Sequence, residues 1–330
     1  MVKSKKWVLV KTFEGLPKKS DFKLEEEELS PDSLKDGEIL CEAVFLTVDP
    51  YMRASQETRI NPGDVMVGQQ VAKVLASKNP KFKEGQLVLA YAGWRTHAIV
   101  SESGTMPLMP LPDMGPLSPS LALGVLGMPG MTAYFGFLEI CYPQPGETVL
   151  INGAAGAVGS LVGQIAKIKG CKVIGYCGTD DKVKWLKELG FDAAYNYKKV
   201  DLNQSLTEAA PDGIDCYFDN VGGDFSVTSI KHMNLFGRMS ICGSISGYNA
   251  TSPPQGELPF FNILGKQLKV EGFIVLRWLP RWSEGQAEMS KWIKEGKIKY
   301  RETVTEGIEN MPDAFIGLFE GSNTGKAIIK

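Results

Sequence analysis

Histidine is almost absent from this sequence of 330 residues, which holds only His97 and His232. The six cysteines, Cys41, Cys141, Cys171, Cys177, Cys216 and Cys242, are scattered, and no two stand in a C-x-x-C pair. These gaps exclude a zinc knuckle and a thioredoxin-type redox centre. Single cysteines in a chain of this size fit a reducing compartment, where they act as small buried hydrophobes, so a cytoplasmic location is expected. An excess of one charge is missing as well. With 36 Lys+Arg against 38 Asp+Glu the net charge is −2, which leaves no field to gather nucleic acid or an anionic membrane. After Met-Val-Lys-Ser-Lys-Lys the apolar stretch runs only from Trp7 to Val10, too short for a signal peptide. Residues 114–138 carry no charge but contain three prolines and five glycines. They predict two apolar helical pieces, with Ser118 as N-cap and Pro119 at the first helical position, and no membrane span. No Ser-His-Asp or Cys-His set has local motif support, which sets covalent hydrolysis aside.

What is present is ordinary for a globular protein: 43% hydrophobic and 22% charged residues. The length suggests two domains and allows about 75% of the unfolded surface to be buried. Up to about residue 110, short runs at 38–45, 68–76 and 86–90 are broken by glycine and proline, the punctuation of a barrel-like β domain. From Glu147 the rhythm changes to strands at 148–152, 172–177, 213–219, 238–243 and 268–273, with helices at 157–169 and 181–189 among them. Such alternation makes a doubly wound parallel sheet of the α/β class. The last thirty residues read as a return to short strand-like runs. Glu25 to Glu28 read as a solvated edge, and Met128 and Met131 as core. Trp278 and Trp282, next to Arg277 and Arg281, fit either a substrate wall or a surface hairpin.

The segment Thr148-Val-Leu-Ile-Asn152 leads into Gly153-Ala-Ala-Gly-Ala-Val-Gly159 and then a helix. A strand, a glycine-rich turn and a helix N-terminus together make a dinucleotide site. Glycines admit the backbone to the pyrophosphate, and helix N–H groups attract it. An NAD site usually carries an acid at the end of the second strand. Here Gly178 and Thr179 follow Cys177, and then come Asp180, Asp181 and Lys182. Gly178 leaves room for a 2′-phosphate and Lys182 supplies a counter-charge, which favours NADPH. Asp180 remains a rival as a ribose acid.

The glycine loop, Gln164-Ile-Ala166 and Gly130-Met-Thr-Ala-Tyr-Phe-Gly136 resemble the medium-chain dehydrogenase/reductase superfamily. More closely, Leu46-Thr-Val-Asp-Pro-Tyr-Met-Arg53, Phe218-Asp-Asn-Val-Gly-Gly223 and Asn310-Met-Pro-Asp-Ala-Phe315 are similar to the prostaglandin reductase (leukotriene 12-hydroxydehydrogenase) family and its alkenal double-bond reductase siblings. The resemblance runs essentially end to end. It implies a GroES-like β-barrel domain over 1–121, completed by 300–330, and a Rossmann domain over 122–299. It implies a homodimer that uses NADPH to reduce the carbon–carbon double bond of α,β-unsaturated ketones and aldehydes, such as 15-oxoprostaglandins and 2-alkenals, or that oxidises a leukotriene hydroxyl with the oxidised cofactor NADP+ as hydride acceptor. The cofactor positions it implies are Ala154, Ala155, Gly156, Ala157, Lys182, Tyr197, Asn220, Cys242, Gly243, Ser244, Ile245, Ser246, Gly247, Tyr248, Phe273, Ile274, Val275 and Asn323. Lys182 and Tyr197 would hold the 2′-phosphate.

One departure stands out. The family is associated with an active-site tyrosine before Leu268, but Pro259-Phe-Phe-Asn-Ile-Leu-Gly265 contains none, which leaves Tyr51 as the catalytic candidate. Where zinc-dependent members place a cysteine and a Gly-His-Glu motif, this chain has Leu46-Thr47-Val48 and Gly68-Gln69-Gln70. Thr and Gln are poor zinc ligands, so no metal is expected. Two rivals share the cofactor domain: an alcohol dehydrogenase or carbonyl reductase acting on C=O, and a non-catalytic NADPH-binding redox sensor.

Overall fold

The computed structural model describes residues 1–53, 60–103, 108–112, 114–252 and 259–330. Two compact units result: Met1–Leu123 with Glu302–Asn323 and Ala327–Lys330, and Gly124–Arg301 with Thr324–Lys326. Among the described residues no helix is long and apolar enough to cross a membrane.

In the first unit β1 (Val2–Leu9) and β2 (Phe22–Leu29) form an antiparallel pair. Glu25 to Glu28 lie on β2, and Glu27 is tied to Lys6 at 2.6 Å and to Arg95 at 3.4 Å rather than simply solvated. The larger sheet contains β3 (Ile39–Thr47), β4 (Gln70–Ser77), β5 (Leu87–Ala90), β6 (His97–Val100) and β7 (Met109–Pro110). Alternation along β4 decides its two faces. Ala72 and Val74 join one apolar cluster, and Val71 the other. A third core forms around Trp94, with Phe22 stacked on it at 5.6 Å and Phe315 edge-on at 5.5 Å.

The first unit's long segment ends in a 3₁₀ turn at Pro119–Leu123, and the second unit's first helix is α1 (Met128–Cys141). The Ser118 hydroxyl accepts the Ser120 N–H. Met131 is fully buried in α1. The chain then alternates through β8 (Thr148–Ile151), α2 (Gly159–Ile168), β9 (Lys172–Cys177), α3 (Asp180–Glu188), β10 (Ala193–Asn196), α4 (Leu202–Ala209), β11 (Ile214–Asp219), α5 (Gly223–Lys231), β12 (Met233–Ile241), α6 (Phe260–Gly265) and β13 (Lys269–Gly272). The strands run parallel in the order β10-β9-β8-β11-β12-β13. That order is the Rossmann arrangement, whose ligand crevice opens where β8 and β11 diverge. Two expected strand ends move inward. Asn152 leaves the ladder after Ile151, and Cys242 and Gly243 leave it after Ile241, because all three are drawn into hydrogen bonds beyond the sheet.

Beyond β13, Trp278 and Trp282 are neither a hairpin nor an exposed wall. A 3₁₀ run at Val275–Arg281 passes into α7 (Trp282–Lys294), and both indoles are buried. Trp278 stacks on Phe135 of α1 at 5.7 Å, and the Arg277 guanidinium lies over its ring at 4.1 Å. The expected run of terminal strands is also corrected. Between β14 (Glu302–Thr305) and β15 (Lys326–Ile329), Met311–Glu320 forms a helix, α8. Pro312 sits in its first turn, where a missing N–H costs nothing, and Gly321 closes it with φ of 71°. α8 buries Phe315 against Trp94.

The fit of α2 against the sheet depends on Phe191. A Cβ at Gly163 would lie 2.0 Å from the Phe191 ring, and one at Gly175 would lie 2.6 Å from it. The two glycines thus form the seat for a buried aromatic. Phe191→Ala is expected to cost about 3–5 kcal/mol of unfolding free energy in urea titration. A loss below about 1 kcal/mol would show that the seat collapses without consequence.

Candidate nucleotide-binding site

At the carboxyl ends of β8 and β11 lies a buried polar network. Asn152, 1% exposed, donates its amide N–H groups to Asp219 Oδ1 at 2.6 Å and to the Tyr217 hydroxyl at 2.7 Å. Asp219, 2% exposed, also accepts the N–H groups of Val221 (3.0 Å) and Gly222 (2.9 Å), and the Ser226 hydroxyl at 2.5 Å. Its carbonyl takes the N–H groups of Cys242 and Gly243. Asn220 returns the bond, with its backbone N–H on Asn152 Oδ1 and its side-chain amide on the Asn152 carbonyl. Burial, with the adjacent Asp219 charge, pushes the Tyr217 phenol well above its ordinary value, so it stays a neutral hydroxyl. This network fixes the strand ends from which the surrounding loops spring.

The glycine turn rests on that rim. Gly153 has φ of 55°, a conformation glycine adopts without strain. A Cβ at Gly159 would lie 2.6 Å from the Gly153 carbonyl, so only glycine lets α2 begin this close to the loop. Ala154 and Ala155 are buried, whereas Gly156 and Ala157 are partly exposed. The helix begins at Gly159, two residues later than expected. Val158 occupies the N-cap position and contributes no side-chain cap. Ser160 and Leu161 donate their N–H groups to the Gly156 and Val158 carbonyls, so what the helix start offers a diphosphate is the positive end of its dipole. Gly325 N–H braces the loop from behind by donating to the Ala155 carbonyl at 2.8 Å. Asn323 lies two residues before that brace.

The end of β9 is where a dinucleotide fold carries its ribose-contacting residues. Thr179 caps α3 by accepting the Lys182 N–H. Asp180, the rival ribose acid, is held by Asn196 at 2.8 Å and by Lys199 at 2.5 Å, and these bonds keep its carboxyl below the usual range. Burial, with a smaller contribution from the Lys198 charge, lowers the Lys182 ammonium from its ordinary value. Tyr197 is half exposed and lies beside Gly178, where a Cβ would sit 3.4 Å from its ring. Lys198 lies beside the same glycine, and the sequence reading missed it. The signal was available. β10 runs parallel to β9 with Asn196 opposite Cys177, so residues that follow one strand lie beside those that follow the other.

The remaining candidates divide between the two units. Ile245 N–H donates to the Asn220 carbonyl, and Ser246 donates both its N–H and its hydroxyl to the Val221 carbonyl. Tyr248 accepts the Ser244 N–H. The segment from Cys242 through Gly243, Ser244, Ile245, Ser246 and Gly247 to Tyr248 is thereby laced to the Asp219 turn. Burial pushes the Cys242 thiol up to about 12, which removes it as a thiolate nucleophile. After β13, the Phe273 ring packs on Gly136, Ile274 is exposed and Val275 is buried. Tyr51 belongs to the first unit, where it is partly buried against the Trp94 core.

The positions where zinc enzymes carry ligands are engaged elsewhere. Thr47 donates to Asp49, and Gln70 donates to the Gly93 and Arg95 carbonyls. His97 stands beside Thr96 and Glu42, and His232 beside Asn203. Among the described residues no three His, Cys, Asp or Glu side chains are placed to hold a metal. This donor set does not fit zinc.

Because Asp219 accepts four hydrogen bonds while buried, Asp219→Asn turns an amide donor toward groups that already donate. The expected loss is about 1–3 kcal/mol of stability in urea titration, together with weaker NADPH binding. Unchanged stability and binding would contradict the organising role of this carboxylate.

Residues 5–108 match the family described as N-terminal domain of oxidoreductase, and residues 157–295 match the family described as zinc-binding dehydrogenase. Among the described residues, the zinc of that second description finds no fitting ligands. The chain is 55% identical over 337 residues to prostaglandin reductase 1 of Bos taurus, covering 100% of both chains. It is 40% identical to the NADP(+)-dependent 2-alkenal reductase of Nicotiana tabacum, covering 99% of this chain and 97% of the relative. Among solved structures, CurA from Vibrio vulnificus in complex with NADPH superposes with a TM-score of 0.91 at 40% identity, covering 99% of this chain and 98% of that one. The α/β architecture, with its barrel-like and Rossmann sheets, is thus a shared one, and the chain belongs to the prostaglandin reductase family of the medium-chain dehydrogenase/reductase superfamily.

Proposed function

We propose that this chain is an oxidoreductase that uses NADPH to reduce the carbon–carbon double bond of α,β-unsaturated ketones and aldehydes, with 15-oxoprostaglandins and 2-alkenals as its substrate class. The observation that carries the reading is the full-length match to prostaglandin reductase 1, at 55% identity. The nucleotide corner supports it, because Asp180 is already engaged and the basic side chains around Gly178 suit a 2′-phosphate.

When bound, NADPH supplies a hydride. The chain holds it by the loop of Ala154, Ala155, Gly156 and Ala157 at the diphosphate, and by Lys182 and Tyr197 at the 2′-phosphate. Asn220, the 242–248 segment, Phe273 to Val275 and Asn323 orient the rest. As the β-carbon is reduced, negative charge collects on the carbonyl oxygen, and one or two hydrogen-bond donors suffice for this delocalised enolate. The Tyr51 hydroxyl is our candidate for one of them. No strong base is required, which suits a chain with two histidines. Oxidation of a leukotriene hydroxyl is a second activity compatible with the same cofactor site.

The protein acts as a cytoplasmic homodimer in this reading. β13 is an edge of the parallel sheet, and the nearby α6 leaves Phe260, Phe261 and Leu264 exposed. Both features favour a second copy as the partner, with no nucleic acid or membrane involved.

Deuteride from labelled NADPH, traced by NMR through turnover of an enone, tests the reaction. The label is expected on the β-carbon, with the carbonyl retained. Label on the former carbonyl carbon, in an allylic alcohol, would move the chain to the carbonyl reductases. Cofactor binding without turnover of any enal or enone would favour the redox sensor.

A further inference from the structure

The end of β9 gathers more positive charge than the reading above uses. Lys198 lies in the segment after β10, where a Cβ built on Gly178 would sit 3.6 Å from its Cε and 3.8 Å from its Nζ. Its neighbours are neutralised. Lys199 pairs with Asp180, Lys184 with Asp181 and Lys167 with Asp192. Among the described residues, no carboxylate pairs with Lys198. Its ammonium lies 5.9 Å from the Tyr197 ring centroid, a distance at which cation–π attraction is weak, and its charge is felt at Lys182. Lys198 thus places beside Gly178 a charge that no described carboxylate neutralises. A phosphate monoester carries between −1.5 and −2 charges near pH 7, more than a single lysine neutralises.

We propose that Lys198 is a specificity-determining residue and the second cation of the 2′-phosphate site, so that Lys182 and Lys198 together discriminate NADPH from NADH. This rests on the NADPH reading given above. Lys182 approaches from the first turn of α3 and Lys198 from the segment after β10. The phosphate is thus held from two independent elements, with the Tyr197 hydroxyl beside it. Because Lys198 is exposed and carries no structural ion pair, its substitution leaves the fold intact.

The test measures Kd for NADPH and NADH by titrating cofactor fluorescence on the intact protein and on Lys198→Met, Lys198→Arg and Lys182→Ala. Methionine keeps the aliphatic stem beside Gly178 and Tyr197 but removes the charge. Lys198→Met is expected to raise the NADPH Kd by about 10–100-fold and to leave NADH within about twofold, as does Lys182→Ala. Lys198→Arg keeps the preference, and 2′,5′-ADP displaces NADPH from wild type at lower concentration than 5′-AMP does, a margin that Lys198→Met narrows. Equal changes for both cofactors, or no change in either, overturn the role of Lys198 while wild type still prefers NADPH. If wild type itself binds the two cofactors equally, the NADPH reading beneath the proposal fails as well.

Discussion

The Rossmann unit depends on one buried carboxylate. Asp219 terminates β11 and accepts from Asn152 at the end of β8, from two amides of its own turn and from Ser226 in α5, while its carbonyl takes the amides that follow β12. A buried anion without a cation is costly unless hydrogen bonds replace its hydration. Here the donors are the groups whose positions define the crevice. Losing any one of them exposes the charge to an apolar surrounding, so the three strand ends are held in a single geometry. The ligand-facing loops inherit that rigidity.

Charge is used differently at the outer corner. Around Asp219 every donor is inside the protein and satisfied there. At the outer corner the acid Asp180 is locked to Asn196 and Lys199, and Lys198 and Tyr197 flank Gly178. A satisfied interior supports an exposed basic rim. This division explains why the site combines tight packing, with Gly159 against Gly153 and Gly163 against Phe191, with exposed basic side chains a short distance away.

The Rossmann order and the glycine turn were legible in the sequence because their signals are local. Strand 172–177 matched to the residue, and the 148–159 segment carries its whole logic in twelve consecutive positions. The Asp219 network was not legible, since Asn152 and Asp219 are 67 residues apart and neither is unusual by itself. Lys198 hid for a similar reason, being an ordinary lysine until β10 is laid beside β9. The helix at Met311–Glu320 was missed because Pro312 reads as a breaker, although in a first turn it is not one. Trp278 and Trp282 misled through their arginine neighbours, and only the packing of α1 shows that the indoles face inward. The resemblance to prostaglandin reductases supplied what spacing alone left open, above all the choice of reaction.

The central claim is that the Asp219-organised rim is the NADPH seat. Hydrogen–deuterium exchange of the intact protein, with and without NADPH, tests it most directly. The account predicts slower exchange on binding in three stretches distant in sequence: the 153–160 loop, the 219–223 turn and the 242–248 segment. A weaker effect is expected with NADH, which lacks the 2′-phosphate. Exchange that is unchanged in these stretches at saturating NADPH, or protection confined to other parts of the chain, would contradict it.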